Sequence, residues 1–410
     1  MRSRSVTVAT RIALTLAALA GCQIVGDIEE RPFVKVEDAG SSPVGDGGGA
    51  SDAPIANPCA DGACTHEVAA GTAFTCVRDA DGRVRCFGEN ERGQVGDNTV
   101  EDRKDPTFVS GVEGATDVWA GTEHSCARLA DGRAMCWGSN LFGELGDPEF
   151  SAYYRSRGGV VPGLEGVREI GAGDLHTCAR TTTGVFCWGN NSHGECGQVT
   201  KDRIPAPEKV PAFGDGADIV QIAAAGWTTC AVRTDGALLC FGSNDSGELA
   251  NGARKSKSEP TAIAGLGPVA HVGMSDERVC AALRDGTVWC WGDSPDDPDA
   301  GAPPAPTQVA GVARAVQVAV GSKHACAKLD DATLWCWGYD LNGQLGRGRK
   351  DGGAPGSVPS MTNVTSFDLG SSHTCARANG AFYCWGFNGQ GQLGDGSTTD
   401  QYDPTKVLSP

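Results

Sequence analysis

Seven times along this chain, two cysteines lie nine or ten residues apart and are followed at once by an aromatic-Gly step. The pairs are Cys76/Cys86, Cys126/Cys136, Cys178/Cys187, Cys230/Cys240, Cys280/Cys290, Cys326/Cys336 and Cys375/Cys384, and each begins 46 to 52 residues after the one before. A period near 50 residues means one supersecondary unit repeated seven times. Such an array offers surfaces first and active sites second.

The pairs are expected to be disulfides that staple hairpins. Between Cys126 and Cys136, a three-residue loop Ala130-Asp131-Gly132 pairs Leu129 with Arg133, and counting back sets the two cysteines opposite each other. Repeats one, four and five count the same way. Repeat seven is one residue shorter and turns at Asn379-Gly380, the preferred two-residue hairpin turn, which again opposes Cys375 and Cys384. Repeat three is also short, with a weaker turn at Thr182-Thr183. Facing residues at a non-hydrogen-bonded site are about 4.5 Å apart at Cα, within disulfide reach. In repeat six Ala332 replaces the turn Gly, so strain is expected there. Cys59 and Cys64 form an eighth, shorter pair, and Cys196 is left alone.

Cystines require an oxidising compartment, and the N-terminus provides for export. Arg2, Arg4 and Arg11 precede the apolar stretch Ile12–Ala20, which suits a signal peptide and is too short to span a bilayer. Leu19-Ala20-Gly21-Cys22 then resembles a bacterial lipobox, with Cys22 the lipidated mature N-terminus; the alternative is an ordinary secretory signal with a chance Cys. Gln23 after that Cys points to outer-membrane sorting by the enterobacterial rule. Residues 1–22 are thus the signal and lipobox. Residues 23–57, acidic and rich in Gly, Ser and Pro, are a flexible tether, and 58–410 are the folded domain. The net charge of −17 disfavours nucleic acid and anionic headgroups, so membrane contact is expected only through the lipid.

Each repeat parses into four short strands, the third carrying the second Cys and its flanking aromatics. Neighbours on a strand point to opposite faces, so aromatics fill one inter-sheet space while the cystine staples the other. Four strands in each of seven units make an all-β, seven-bladed β-propeller. Segments ending in DPTFV (105–109), GGVVP (158–162), APEKV (206–210) and their later equivalents form the fourth strands. The last, DPTKV (403–407), is at the C-terminus and is expected to dock beside the first repeat and close the ring.

The run W/F-G-x-N-x-x-G-Q/E-L-G occurs as FGENERGQVG (87–96), WGSNLFGELG (137–146), WGNNSHGECG (188–197), FGSNDSGELA (241–250), WGYDLNGQLG (337–346) and WGFNGQGQLG (385–394). With G-x-x-H-x-C upstream, it resembles the regulator of chromosome condensation repeats, sometimes labelled BNR-type, over residues 65–410. The spaced cysteines suit a secreted bacterial subset. Repeat five departs after Trp291-Gly292, where DSPDDPDAGAPPAP replaces the motif, so an altered acidic loop is expected. The resemblance implies a seven-bladed propeller with binding roles: chromatin and small GTPases for nuclear members, and capping of beta-lactamases with one face by a secreted bacterial member. Nucleotide exchange is not carried over to an exported chain.

No catalytic, cofactor or metal residues stand out. His124, His176, His324 and His373 all sit two residues before a first Cys, but Phe74, Thr228 and Arg278 hold the same place elsewhere. A repeat-internal hydrogen bond explains that distribution, and a ligand set does not. Cys196 stands where other motifs have Leu and packs as a small apolar residue. The run Asp296-Asp297-Pro298-Asp299 is read as a solvated loop, without Ca²⁺-ligand spacing. For contacts, the loop 149–159 (EFSAYYRSRGG) brings Phe150, Tyr153, Tyr154, Arg155 and Arg157 together on an acidic chain, and Phe142 and Trp227 are similar candidates. The expected molecule is a monomeric, non-catalytic, lipid-anchored propeller that binds an unidentified protein or glycan through loops on one face. The alternative is an extracytoplasmic polysaccharide hydrolase or lyase with its site over the central channel.

Overall fold

The structure, a computed structural model, describes residues 67–293, 305–348 and 352–409. Cys22, Cys59, Cys64, the leader, the tether and the acidic run 296–299 lie outside them. Among the described residues, seven antiparallel sheets of four strands follow one another along the chain, at 68–108, 115–160, 167–209, 219–262, 269–308, 315–357 and 364–406. These are the blades of a β-propeller. Blade two shows the plan: Ala115–Ala120 is innermost, then His124–Leu129 and Ala134–Ser139, with Tyr154–Val160 outermost. Blade five has the shortest outer strand, Thr307–Gln308.

Each blade carries one cystine, bonded as the turn count requires. The bridges are Cys76–Cys86, Cys126–Cys136, Cys178–Cys187, Cys230–Cys240, Cys280–Cys290, Cys326–Cys336 and Cys375–Cys384, with Cα atoms 4.0–4.1 Å apart. The partners face each other in register: Cys126 opposes Cys136, Cys178 opposes Cys187, Cys280 opposes Cys290 and Cys326 opposes Cys336. The short hairpin of blade three therefore still opposes its cysteines, despite the weaker turn at Thr182-Thr183. There Gly184 takes φ +150° and its carbonyl accepts from Thr181 N–H at 2.9 Å. In blade two Gly132 takes φ +83°, and Asp131 completes the turn by accepting from the Arg133 backbone N–H at 3.0 Å. Ala332 in blade six is forced to φ +60°, the left-handed region that costs an L-residue about 1–2 kcal/mol, yet Cys326 and Cys336 stay paired. Asn379 and Gly380 take φ +51° and +77°, as a two-residue hairpin demands.

Alternation along the third strand turns cystine and aromatic to opposite faces, and both are buried because each faces a neighbouring sheet. The cystine of one blade packs against the aromatic of the next: Cys76 and Cys86 with Trp137, Cys230 and Cys240 with Trp291, Cys280 and Cys290 with Trp337, Cys326 and Cys336 with Trp385, Cys375 and Cys384 with Phe87. Cys178 and Cys187 likewise share a cluster with Phe241 of blade four. Trp137, Trp188, Trp291 and Trp385 also donate their indole N–H to a motif carbonyl, on Gln94, Glu144, Glu248 and Gln344 of the preceding blade, at 2.7–2.9 Å. Blade five lacks the motif that supplies this carbonyl, and the buried Trp337 Nε1 has no partner among the described residues.

The histidines are structural, but they join repeats and do not act within one, which corrects the sequence-based expectation. His124, His176, His324 and His373 reach Thr177, Thr229, Thr374 and Thr75 of the following blade at 2.8–2.9 Å. Each threonine hydroxyl in turn donates to a motif carbonyl at 2.8–2.9 Å. Burial lowers the histidine pKa values to between about 3 and about 4, so all four rings are neutral. Among the described residues no cluster of three or more ligating side chains could hold a metal. Cys196 is buried with its thiol against the Asn190 carbonyl, and burial holds it well above the usual thiol range, so it is inert.

The innermost strands present free backbone edges to the channel, and side chains of the preceding blade satisfy several. Glu169 accepts from Ile222 N–H, Gln221 from Val272, and Asp368 from Ala70, each at 2.9 Å. The last of these crosses the seam between blades seven and one. The C-terminal strand Gln401–Lys406 is the outer strand of blade seven, and every blade is continuous in the chain. Val407 joins the seam cluster with Val68 and Phe87, while the Leu408 carbonyl accepts from Arg85 at 3.1 Å.

Candidate binding surface

At one end of each blade lies the turn between its first two strands and, where it is described, the long loop between its last two. The repeated motif builds that loop. In blade two, Asn140 Oδ1 accepts from Leu145 N–H, and its amide donates to the Phe150 and Ala152 carbonyls. Glu144 Oε2 accepts from Phe142 N–H at 2.8 Å. Asn191 and Glu195 do the same in blade three, Asn388 and Gln392 in blade seven. The Asn and the Gln or Glu are therefore scaffold. They turn the two residues that follow the Asn toward the surface, and these vary around the ring: Glu91-Arg92, Leu141-Phe142, Ser192-His193, Asp245-Ser246, Leu341-Asn342 and Gly389-Gln390, of which only Ser246 is buried. The cystines take no part in this face. Cys187 and Cys336 are fully buried and Cys290 is 6% exposed, so these residues staple blades and offer nothing to a ligand.

Apolar residues at the loop tips collect in two arcs. In the first, Leu141 and Phe142 of blade two face Leu175 and His193 of blade three and Trp227 of blade four across one groove. Trp227 is 38% exposed, and His193 stacks on it at 4.7 Å with the rings within 8° of parallel. Arg203 lines the groove and donates to the Phe142 carbonyl at 2.9 Å. The second arc, Tyr339 and Leu341 of blade six with Phe387 of blade seven, is absent from the candidates drawn from sequence; Leu341 is 68% exposed. The signal lies in the motif, since these residues occupy its variable places.

The segment 149–159 is divided by the structure. Tyr154, Arg155 and Arg157 belong to the outer strand Tyr154–Val160, not to a loop. Phe150 folds onto the core, Arg155 lies 3.9 Å above its ring, and the same guanidinium pairs with Asp147 at 2.6 Å. Both serve the fold. Tyr153, at 71%, Tyr154 and Arg157 remain exposed on the outer rim, apart from the groove that unites Phe142 and Trp227.

The central channel opens on the same face. Its mouth is ringed by Thr72, Thr122, Asp174, Gly226, Asp276, Ser322 and Ser371, one from each blade. Because Gly226 lacks a side chain, Asp276 approaches Asp174 across it, and Thr122 donates to Asp174 at 2.5 Å. Crowding at the mouth and the Asp174 carboxylate push Asp276 up to about 7. Asp276 stays exposed, so the neighbouring charge is the firmer of the two causes. Deeper in the channel, burial raises Glu169 to about 7 against the pull of Arg180, 3.2 Å away, and raises Asp368 to about 6.

Two sequence profiles described as the regulator of chromosome condensation (RCC1) repeat match this chain, one at 66–94, 115–144, 167–195, 219–248 and 315–344, the other at 81–128, 184–232, 235–282, 331–377 and 379–410. Among curated proteins, the E3 ubiquitin-protein ligase HERC2 of Homo sapiens is 29% identical over 126 residues, 29% of this chain and 3% of HERC2. The mitochondrial RCC1 domain-containing protein RUG3 of Arabidopsis thaliana is 28% identical over 133 residues, 32% of this chain and 30% of that protein. The chain thus spans under a third of these relatives. Among solved structures, human WBSCR16 superposes with a TM-score of 0.72 at 22% identity, covering 80% of this chain and 95% of that one. Prp20p of Saccharomyces cerevisiae, a protein studied for its binding to Gsp1p and histones, gives 0.71 at 20%, covering 81% and 87%. Matched profiles, motif and seven-bladed fold agree, and the chain belongs to the regulator of chromosome condensation (RCC1) repeat family.

Proposed function

We propose that this protein is a non-catalytic, extracytoplasmic binding propeller, tethered by a lipid on Cys22, that takes a protein or glycan ligand on the loop face around the channel mouth. The observation that carries it is the groove of Leu141, Phe142, His193 and Trp227: large side chains held at the surface by a buried scaffold that does not need them. Seven cystines suit an oxidising compartment. Among the described residues no helix is long and apolar enough to cross a membrane. Protein binding has a precedent in the fold: Prp20p is described with Gsp1p and histones, and again bound to Kap60.

Affinity capture on the immobilised full chain, from envelope and secreted fractions, tests this. A ligand retained by the native chain and lost from the Phe142→Ala/Trp227→Ala variant is expected, with mass spectrometry and glycan analysis identifying it. Turnover of a glycan by the purified chain would overturn the non-catalytic reading. Cys22→Ala should release the protein from the membrane fraction.

A further inference from the structure

We infer that the groove and the channel mouth form one two-part site, and that its occupant is a protein segment carrying an aromatic or aliphatic side chain within about three residues of a Lys or Arg. This deepens the proposed function and rests on it.

The two parts are continuous in the chain at both walls. Asp174 at the mouth is followed by Leu175 in the groove, and Gly226 at the mouth by Trp227. A Cβ on Gly226 would lie 2.7 Å from Asp276 Cα, so the indole and the carboxylate pair are separated by a single residue. Leu141, Phe142, Leu175 and Trp227 provide the apolar part. The acidic part is accessible: Asp276 is exposed, and neither it nor Asp174 has a cationic partner among the described residues. Around them the mouth offers only hydroxyls and Gly226, so the missing charge must come from outside. An ammonium or guanidinium placed there meets two carboxylates and a ring of acceptors, the geometry that favours charge-assisted hydrogen bonds. A further polar atom at the same mouth lacks a partner among the described residues: Ser275 Oγ, on a residue 8% exposed. Extended chain advances about 3.3–3.6 Å per residue, and a lysine arm reaches further still, which sets the spacing of roughly three residues.

The test pans a phage-displayed random heptapeptide library against the full chain in detergent and probes the same preparation on a glycan array. Selected peptides are expected to share an aromatic or aliphatic residue followed or preceded within three positions by Lys or Arg. Their affinity should fall at least tenfold in Trp227→Ala and, separately, in Asp174→Asn/Asp276→Asn and in Asp276→Asn alone, with unfolding temperatures confirming that each variant is folded. Peptides that depend on Trp227 but bind the Asn variants equally well would overturn the two-part site and leave the binding surface standing. Glycans bound through Trp227 with no peptide selected would overturn the choice of a protein segment. No ligand of either kind would bring down the site and the proposed function together.

Discussion

A buried imidazole has two nitrogens to satisfy, and each of the four inter-blade histidines satisfies one. Thr374 donates its only hydroxyl proton to the Gln344 carbonyl, so its oxygen must accept, and His324 must carry its proton on Nε2. Nδ1 is left buried without a partner among the described residues. Thr374→Val keeps the shape but strands the histidine N–H, while the Gln344 carbonyl retains the Trp385 indole. The expected loss is about 2–3 kcal/mol, read by denaturant unfolding. The tryptophans allow a cleaner comparison, because at one site the indole N–H has no partner among the described residues. Trp385→Phe breaks the contact with Gln344, whereas Trp337→Phe removes an N–H without a partner among the described residues. Both lose the same volume, so Trp385→Phe should be the more destabilising by about 1–2 kcal/mol. Equal losses would mean that the indole bond contributes nothing to the blade interface.

At the scale of the hairpin, turn chemistry and cystine position are one constraint, and this is why the disulfides can be counted from sequence. Loop length and turn residue change together from Ala130-Asp131-Gly132 to Asn379-Gly380, and the cysteines stay opposed. Ala332 is the exception that tests it. Ala332→Gly relieves a φ of +60° and should stabilise by about 0.5–1 kcal/mol, while Gly132→Ala in the equivalent turn should destabilise. Local elements are legible because their evidence is local. The His–Thr contacts are also written in the chain, since every buried His precedes a blade with Thr before its first Cys, but the partner is about 50 residues away and a reading within one repeat misses it. The same holds for the glycines before the rings: a Cβ on Gly321 would lie 2.4 Å from His324 Cε1, and where Arg278 replaces His, Ser275 replaces Gly. The outer strand of blade two reads as a loop in sequence because Tyr154, Arg155 and Arg157 pair along an exposed edge without apolar alternation. The outer strand of blade seven matters beyond its own sheet. Deleting residues 401–410 strips the edge of Ala381–Gly386, takes Val407 from the seam and leaves Arg85 without the Leu408 carbonyl. Thermal unfolding should shift down sharply, by an amount matching about 3 kcal/mol or more; an unchanged midpoint would contradict closure at that seam.

Over the whole ring, proton binding pulls in two directions. The four histidines have folded pKa values near 3–4 against an ordinary 6.5. The folded state therefore holds fewer protons than the unfolded chain in that interval, and stability falls as pH drops from 6.5. Burial raises Glu169 and Glu248 to about 7 and Asp368 to about 6, and crowding with the Asp174 carboxylate raises Asp276 to about 7. The folded state holds more protons there, and stability falls as pH rises from about 4.5 toward 7. Between about pH 4.5 and 6 the histidines and these carboxylates are opposed in sign and offset one another, and Glu89, Glu144, Glu195 and Asp340, raised as well by burial, add to the carboxylate side. Below about pH 4 the unfolded carboxylates are protonated too, only the histidine effect survives, and stability should drop steeply. Glu169→Gln removes one carboxylate while its amide oxygen can still accept from Ile222. In that variant the profile should tilt upward relative to the native one, the unfolding temperature gaining on the native value from about pH 4.5 to 6. A variant profile parallel to the native one across this interval would show that the Glu169 carboxylate does not offset the inter-blade histidines.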